Sequence, residues 1–522
     1  QAGYNIQSGS YNVMIGQMAG QEAVGESNTF VGLAAGAGES SSPFSNGVEN
    51  VAVGYYSQRI FRSGSYNTNL GVMSGYRAVD SEKRVMIGYK AGYYATGSYN
   101  TFVGAEAGLG GTTSAPFSSG QYNTAIGKGA LYAFTTAGNN TAIGHESSQA
   151  ITIGSDNVSL GYKALYSEDV GSRAVAIGSH ALYTQNMDSD YEINNIGIGY
   201  YSGYHNVTGT GNTWLGYQAG LGASNESNSN NVGIGYQSLL SVTTGGSNVA
   251  VGYQALTALT SGAENTAIGY QAGQEITTKN RNTIIGYEAV YSSSANDDLV
   301  VVGYKAGYNL NSDDHTGAVL IGSEAGYNLT NDHPAQQGSM YIGYQAGYNY
   351  TTANTSMGIG FKALYGQYVG ANGNSHSNIY GSNLAIGDYA GYAGGNTTGF
   401  GGSTYIGHSA GHGHVGGRSV HIGYEAGRYT ASGSQDVYVG FNAGKVAHLS
   451  GDPSGSHTNN GRGSLNVAIG YQALMHGGTT NVAIGHEALS TQSGSNKNVV
   501  AVLLVNSVKI DVRKVINKIS KN

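Results

Sequence analysis

Cysteine is absent from the 522 residues, which excludes a disulfide framework, a thiolate metal site and a cysteine nucleophile. If the protein works outside a cell, its stability is expected to come from backbone pairing and close subunit association. Charge is scarce, at 10% of residues with a net charge of −7, so there is no basic footprint for nucleic acid. No apolar run reaches the roughly 18 residues of a membrane span, and no membrane insertion is expected. There are only four prolines, and Pro43, Pro116, Pro334 and Pro453 all fall between repeated segments, as strand-forming stretches demand. The start lacks a charged-then-apolar signal sequence. The chain opens at Gln1 on QAGYN, which matches Gln345–Asn349 inside a later repeat. Its first residue is therefore expected to sit in mid-repeat, either in a processed or truncated product or with further repeats ahead of it.

What the chain has in abundance is glycine and tyrosine, 86 and 42 residues. Without a Gly-X-Y triplet this is not collagen. Asn265–Gly273 reads NTAIGYQAG; Asn248–Leu256 gives NVAVGYQAL, Asn282–Val290 NTIIGYEAV and Asn481–Leu489 NVAIGHEAL. Taking the Gly after the Ile, Val or Leu as a marker, 26 such units follow one another from Gly16 to Gly485. Their commonest spacing is 17 residues and the longest is 30, from Gly440 to Gly470. A fixed period with variable insertions is the signature of a solenoid whose loops emerge at set positions. The expected fold is all-β: a parallel β-roll or β-solenoid of about 17-residue coils, forming a trimeric fibre. Stacked at about 4.8 Å, 26 coils would span on the order of 125 Å.

Within a unit the pattern alternates. Thr266, Ile268, Tyr270 and Ala272 are placed on one face of an extended segment, Ala267, Gly269 and Gln271 on the other. Recurrent mid-pattern Gly and β-branched flanks argue against a helix. A strand of six to eight residues, a second weaker strand and two turns would complete each coil. Asn stands four before the marker in 17 of the 26 units. It suits turns, and stacked coil on coil its amide can bond the next. A structural ladder is therefore expected at Asn212, Asn231, Asn248, Asn265 and Asn282, with Gly235, Gly252, Gly269 and Gly286 keeping one face thin. Tyr236, Tyr253, Tyr270 and Tyr287 are expected to stack as a packing ladder. The larger Ile and Tyr face needs cover from the second strand or from another chain.

Longer spacings mark insertions at Gly36–Gly47, Leu109–Gly120, Thr184–Asn194, Leu221–Ser229, Asn309–Thr316, Asn328–Gly338, Gly366–Ser382 and Lys445–Ser464. Two regions are expected: a repetitive shaft over 1–494 and a basic, apolar tail over 495–522 serving as cap or oligomerisation segment. In the tail, Val505, Val508, Val512, Val515 and Ile519 fit a short heptad seam, and Val508, Ile510 and Val512 equally fit a strand.

The NTAIGYQAG and NVAIGYQAL units resemble the head repeats of trimeric autotransporter adhesins, and still more the repetitive shafts of bacteriophage tail fibres, over roughly residues 1–490. The resemblance implies a parallel left-handed β-roll, three chains per fibre and binding to cell surfaces.

Residues with chemistry of their own are few. Glu106, Glu146, Glu288, Glu324, Glu425 and Glu487 recur in register, two after the marker, as surface positions of a repeat do. Asp297/Asp298 and Asp313/Asp314 read as turn acids. His408, His412, His414 and His421 form the one histidine cluster, but without a metalloprotease motif. No catalytic residue, metal or cofactor is expected. Tyr308, Tyr327, Tyr348 and Tyr350 are candidates for glycan contact, and Asn206, Asn225, Asn328, Asn349 and Asn354 head sequons. The expected protein is a non-enzymatic extracellular or virion-surface fibre that self-associates and meets a cell-surface glycan or protein receptor through its insertions. A phage tail fibre comes first, a bacterial adhesin or extracellular filament second, and a glycan- or ice-binding solenoid third.

Overall fold

A computed structural model describes all residues except 1, 5–8, 39–44, 78, 112–116, 190–191, 225, 293–295, 311–315, 330–337, 350–355, 367–382, 393–401, 415–416, 431–433, 446–463, 476–478, 491–496, 506–507 and 512–522. The chain forms two compact units, Gln1–Ser261 and Gly262–Asn522. The first carries strands β1 (Val13–Ile15) to β14 (Val249–Val251), and the second continues from β15 (Thr266–Ile268) to β26 (Val482–Ile484), one strand per coil. In each unit every strand pairs in parallel with that of the next coil, in register: Thr124 opposite Thr141, Thr266 opposite Thr283. The protein is a parallel β-solenoid.

The strands are three residues long, shorter than the six to eight that alternation predicts. The marker glycine ends each one. Gly269 has φ +141° and Gln271 two residues on has φ +52°, so the extended backbone cannot continue. Ala272 consequently turns inward and is buried, while Thr266, Ile268 and Tyr270 stay outside and Gln271 lies half-exposed on the surface. The expected second strand is reduced to isolated bridges such as Ala23–Ser45 and Ile60–Arg77. The turn residue preceding each strand is not the Asn but its predecessor: Ser247, Glu264 and Arg281 have φ near +60°.

The glycine column has a steric cause. A Cβ on Gly235 would lie 2.4 Å from the carbonyl oxygen of Gly252, and one on Gly269 2.3 Å from that of Gly286. No side chain fits between backbones stacked this closely.

The Asn column is an internal hydrogen-bond ladder. Asn140 Nδ2 donates to Asn123 Oδ1 (3.2 Å) and to the Gly154 carbonyl (2.9 Å), while its Oδ1 accepts from the Asn157 amide (3.0 Å). In the second unit Asn282 repeats this with Asn265 Oδ1 (3.0 Å), the Asn296 carbonyl (3.0 Å) and the Leu299 amide (2.9 Å). Asn212, Asn231 and Asn248 are linked likewise. Where Asn is replaced, short polar side chains continue the column: Ser403 Oγ accepts from the Ser419 amide, and Asp436 Oδ1 from that of Asn466. Ala174, Leu299 and Ala318 interrupt the column, and Arg84 takes its place in it with a long side chain. Its guanidinium, buried and pulled down to about 9 by desolvation, reaches Asn67 Oδ1 and the Ala95 carbonyl.

Inside the ladder the core is one side chain thick. Ala or Ser three after the marker is buried, as at Ala130, Ser147, Ala272 and Ala443. Two other inward positions divide the remaining space. Where the residue two before the marker is aromatic, the residue four after it is Gly: Phe30 with Gly36, Phe102 with Gly108, Trp214 with Gly220, Tyr341 with Gly347, Tyr438 with Gly444. A Cβ on these glycines would stand 2.3–2.6 Å from the ring. Where the first is Ala, Ser or Gly, the second is commonly Leu, as in Ala125 with Leu131, Ser159 with Leu165 and Gly233 with Leu239, all three leucines buried at φ near +50°. Gly fits both the left-handed backbone and the missing volume; Leu accepts the strained φ in return for filling the core.

Beyond β26, β27 (Val499–Val505) pairs in parallel with β26, and β28 (Val508–Asp511) folds back antiparallel on β27. This half of the tail is extended; residues 512–522 of the heptad seam lie outside the described residues.

Two measurements test this packing. Asn140→Ala strands a buried amide and a buried carbonyl, and is expected to cost about 2–4 kcal/mol in chemical denaturation. Trp214→Ala is expected to cost about 3–5 kcal/mol and Gly220→Leu to be at least as harmful, whereas the double variant should recover part of the loss. Strict additivity in that cycle would contradict the size coupling.

Candidate recognition surface

The turn after each strand projects three parallel rows. One after the marker, tyrosines stack ring on ring: Tyr217–Tyr236 and Tyr236–Tyr253 at 5.1 Å in the first unit, Tyr270–Tyr287 at 4.9 Å and Tyr287–Tyr304 at 5.4 Å in the second, with planes within 17° of parallel. Five after the marker a second row runs Tyr291–Tyr308–Tyr327–Tyr348–Tyr365–Tyr392–His412, with centroids 4.9–5.2 Å apart. Between them, two after the marker, lies a polar row. Gln254 donates to Gln237 and Gln237 to Gln218, both at 2.9 Å. In the second unit Lys305 pairs with Glu288 (3.2 Å) and Gln345 Nε2 donates to Glu324 Oε2 (2.6 Å).

Tyr308, Tyr327 and Tyr348 are thus brought into one continuous row; Tyr350 lies outside the described residues. Sequence reading missed Tyr291, Tyr365 and Tyr392 as members of it. The available signal was the shared offset of five from the marker. Within a row each ring turns both faces to its neighbours and leaves an edge to solvent, so sugar stacking on ring faces is confined to row ends and interruptions. Along the second row burial raises the phenols of Tyr308, Tyr365 and Tyr392, and pushes Tyr348 up to about 12, helped by the Glu324 carboxylate. These hydroxyls remain protonated donors through the physiological range. Beside them Asn309 donates to Asn328 and Asn328 to Asn349, each at 2.7 Å.

Glu146, Glu288, Glu324 and Glu425 all sit in the polar row, paired with Lys163, Lys305, Gln345 and Arg428 plus Lys445 respectively. Asp298 forms an exposed two-point pair with Arg281, which lowers its carboxyl; Asp313 and Asp314 lie outside the described residues. Of the sequons, Asn206 is buried with its amide on the Gly209 carbonyl (2.9 Å), which closes it to modification in the folded chain; Asn225 and Asn354 are not among the described residues. Most of the four insertions at 309–316, 328–338, 366–382 and 445–464 is likewise outside them, whereas those at 184–194 and 221–229 are largely described.

The four histidines divide between two environments. His408 stacks on Tyr424 (5.1 Å) and His412 on Tyr392 (4.9 Å), within the outer rows. His414 and His421 are buried in the core, edge-to-face at 4.6 Å, with His421 stacked on Tyr438 (4.9 Å) and beside Tyr405 (5.5 Å). His414 Nδ1 faces Thr430. Among the described residues no group of three or more histidines and carboxylates is placed to hold a metal ion, and no helix is long and apolar enough to cross a membrane.

No protein-family model matches the chain, and comparison with curated proteins finds no match.

Desolvation holds His421 well below the usual imidazole range, with His414 adding to the effect. Below about pH 6.5 the unfolded chain therefore binds a proton that the folded core refuses. Stability of the second unit should be full above pH 6.5 and fall as pH drops below it, by up to about 1.4 kcal/mol per unit for one fully discriminated site. His421→Phe should flatten this dependence; thermal denaturation at pH 7.5 and 5.0 checks it.

Proposed function

We propose that the chain is a non-enzymatic structural fibre, assembled from three copies and displayed outside a cell or on a virion, which attaches to surfaces. The observation that carries this reading is the outer face of the sheet. One before the marker, Ile126, Leu160 and Leu215 in the first unit and Ile268, Ile285, Ile321, Ile386, Ile422, Ile469 and Ile484 in the second are 36–43% exposed. Such a column, repeated coil after coil, is unlike the scattered apolar residues of an ordinary surface. Parallel sheets are normally covered on both faces, and among the described residues the single chain covers only the inner one.

The occupant that matches such a column over many coils must share its rise per coil, and a second copy does. Three copies around an axis would seal their columns against one another; the number three rests on the resemblance of the repeats to adhesin heads and tail-fibre shafts. A phage tail fibre is the leading assignment, with recognition of a cell-surface glycan or protein in the insertions. A bacterial surface adhesin or filament uses the same architecture and is separated from it by the genes that surround this one.

Mass measurement in solution with electron microscopy tests the assembly: three chain masses and an elongated particle are expected. Replacing Ile268, Ile285, Ile321 and Ile386 by Lys should yield single chains with unchanged β-content. A compact monomer of the wild-type chain would sink the proposal.

A further inference from the structure

The outer aromatic row is interrupted where Ser323 replaces the ring one after its marker. Tyr304 in the coil before is stacked on Tyr287 (5.4 Å), and Tyr344 in the coil after on Phe361 (5.3 Å). The faces these two rings turn toward each other look across a single missing rung. Stacking at about 5 Å per coil makes the gap two steps wide, so one flat ring placed in it would lie about 5 Å from each tyrosine, as every ring in the row already does.

The chain shows what such a gap takes, because it fills comparable ones itself. At Ser179, between Tyr162 and Tyr200, the neighbouring His180 turns its ring against Tyr162 (5.0 Å, edge-on). At Asp388, between Phe361 and His408, Tyr389 spans the gap, 5.2 Å from one ring and 6.2 Å from the other. At Val72, between Tyr55 and Tyr89, a branched side chain occupies the rung. At Ser323 the neighbouring residue is Glu324, which has no ring, and its carboxylate is held by Gln345 (2.6 Å) in the polar row. Among the described residues the one nearby cation, Lys305, lies 5.6 Å from the Tyr304 centroid but is drawn to Glu288 in the preceding coil. Glu288, Lys305 and Glu324 together leave one net negative charge at the gap.

We propose that the Ser323 gap is a binding slot for one flat aromatic ring, with a cationic ring preferred. Two electron-rich phenol faces and a carboxylate bonded to a neutral amide are the surroundings that favour such a group, through offset stacking and cation–π attraction. A pyranose is thicker than an aromatic rung and fits the spacing less well. The slot lies within one chain and one unit, so it stands or falls independently of the fibre assembly.

Proflavine, a flat cationic acridine, is a suitable probe, measured by fluorescence titration and equilibrium dialysis on the full chain. One tight site per chain is expected. Ser323→Tyr supplies the missing rung and should abolish that site while raising the melting temperature, since it joins two existing stacks. Ser323→Ala should bind as the wild type does. Tyr304→Ala and Tyr344→Ala each remove one face and should weaken binding about five- to tenfold, and Glu324→Gln should weaken it about threefold and reduce its salt dependence. A neutral analogue of the same shape should bind more weakly than the cation. Unchanged binding by Ser323→Tyr, or many equivalent sites in proportion to the number of tyrosine rungs, would overturn the proposal.

Discussion

Backbone lying directly on backbone is the constraint from which the rest of this solenoid follows. At the marker position successive coils approach so closely that a Cβ on Gly269 would meet the carbonyl of Gly286 at 2.3 Å. That approach fixes the rise per coil, and the rise holds every other column in register. The Asn amides meet because their coils do, and the rings stack at about 5 Å for the same reason. A side chain at the marker would therefore disturb several ladders at once.

The interior succeeds with little apolar bulk because the amides of its Asn column are bonded. A conventional core of this size would need many large aliphatic residues. Here Ala and Ser line one wall, and the Asn column binds the backbone of its own and neighbouring coils, so the buried amides contribute hydrogen bonds without stranding partners. The low content of charge and of large aliphatic residues follows from this thin section. So does the exposed Ile column, since a core one side chain thick has no room for a second apolar layer.

The period, the parallel stacking and the class of fold were legible because one short motif recurs 26 times. The distribution of faces was legible only as far as Gly269. Alternation by two assumes an extended backbone, and the positive φ of Gly269 and Gln271 resets the direction, which is why Ala272 is buried and Gln271 is not. The second tyrosine row was harder to read because its members are spread over variable spacings; only their common offset from the marker aligns Tyr291 with Tyr392. The split of the histidine cluster was likewise hidden. His408 and His412 occupy outer offsets while His421 takes the inward place that Phe30 or Tyr438 takes elsewhere, and proximity in sequence says nothing about which side of a thin wall each residue reaches.

The pairing of a large residue before the marker with glycine after it bears on how such a chain can change in length. Both partners of a size-matched pair, Trp214 with Gly220 or Ala125 with Leu131, lie within seven consecutive residues of one coil. Recombination between repeats that breaks in the loop region moves the pair as a unit, and the transplanted coil keeps its own pair matched, while rings such as Trp214 also press on Gly203 and Gly233 in the flanking coils. A break inside those seven residues would join Trp to Leu and create a clash. Coils can therefore be gained or lost by unequal exchange with each pair kept whole, provided the junctions fall outside the motif and the flanking coils offer small residues to any large ring, and the reach of the molecule becomes a quantity that whole repeats can adjust.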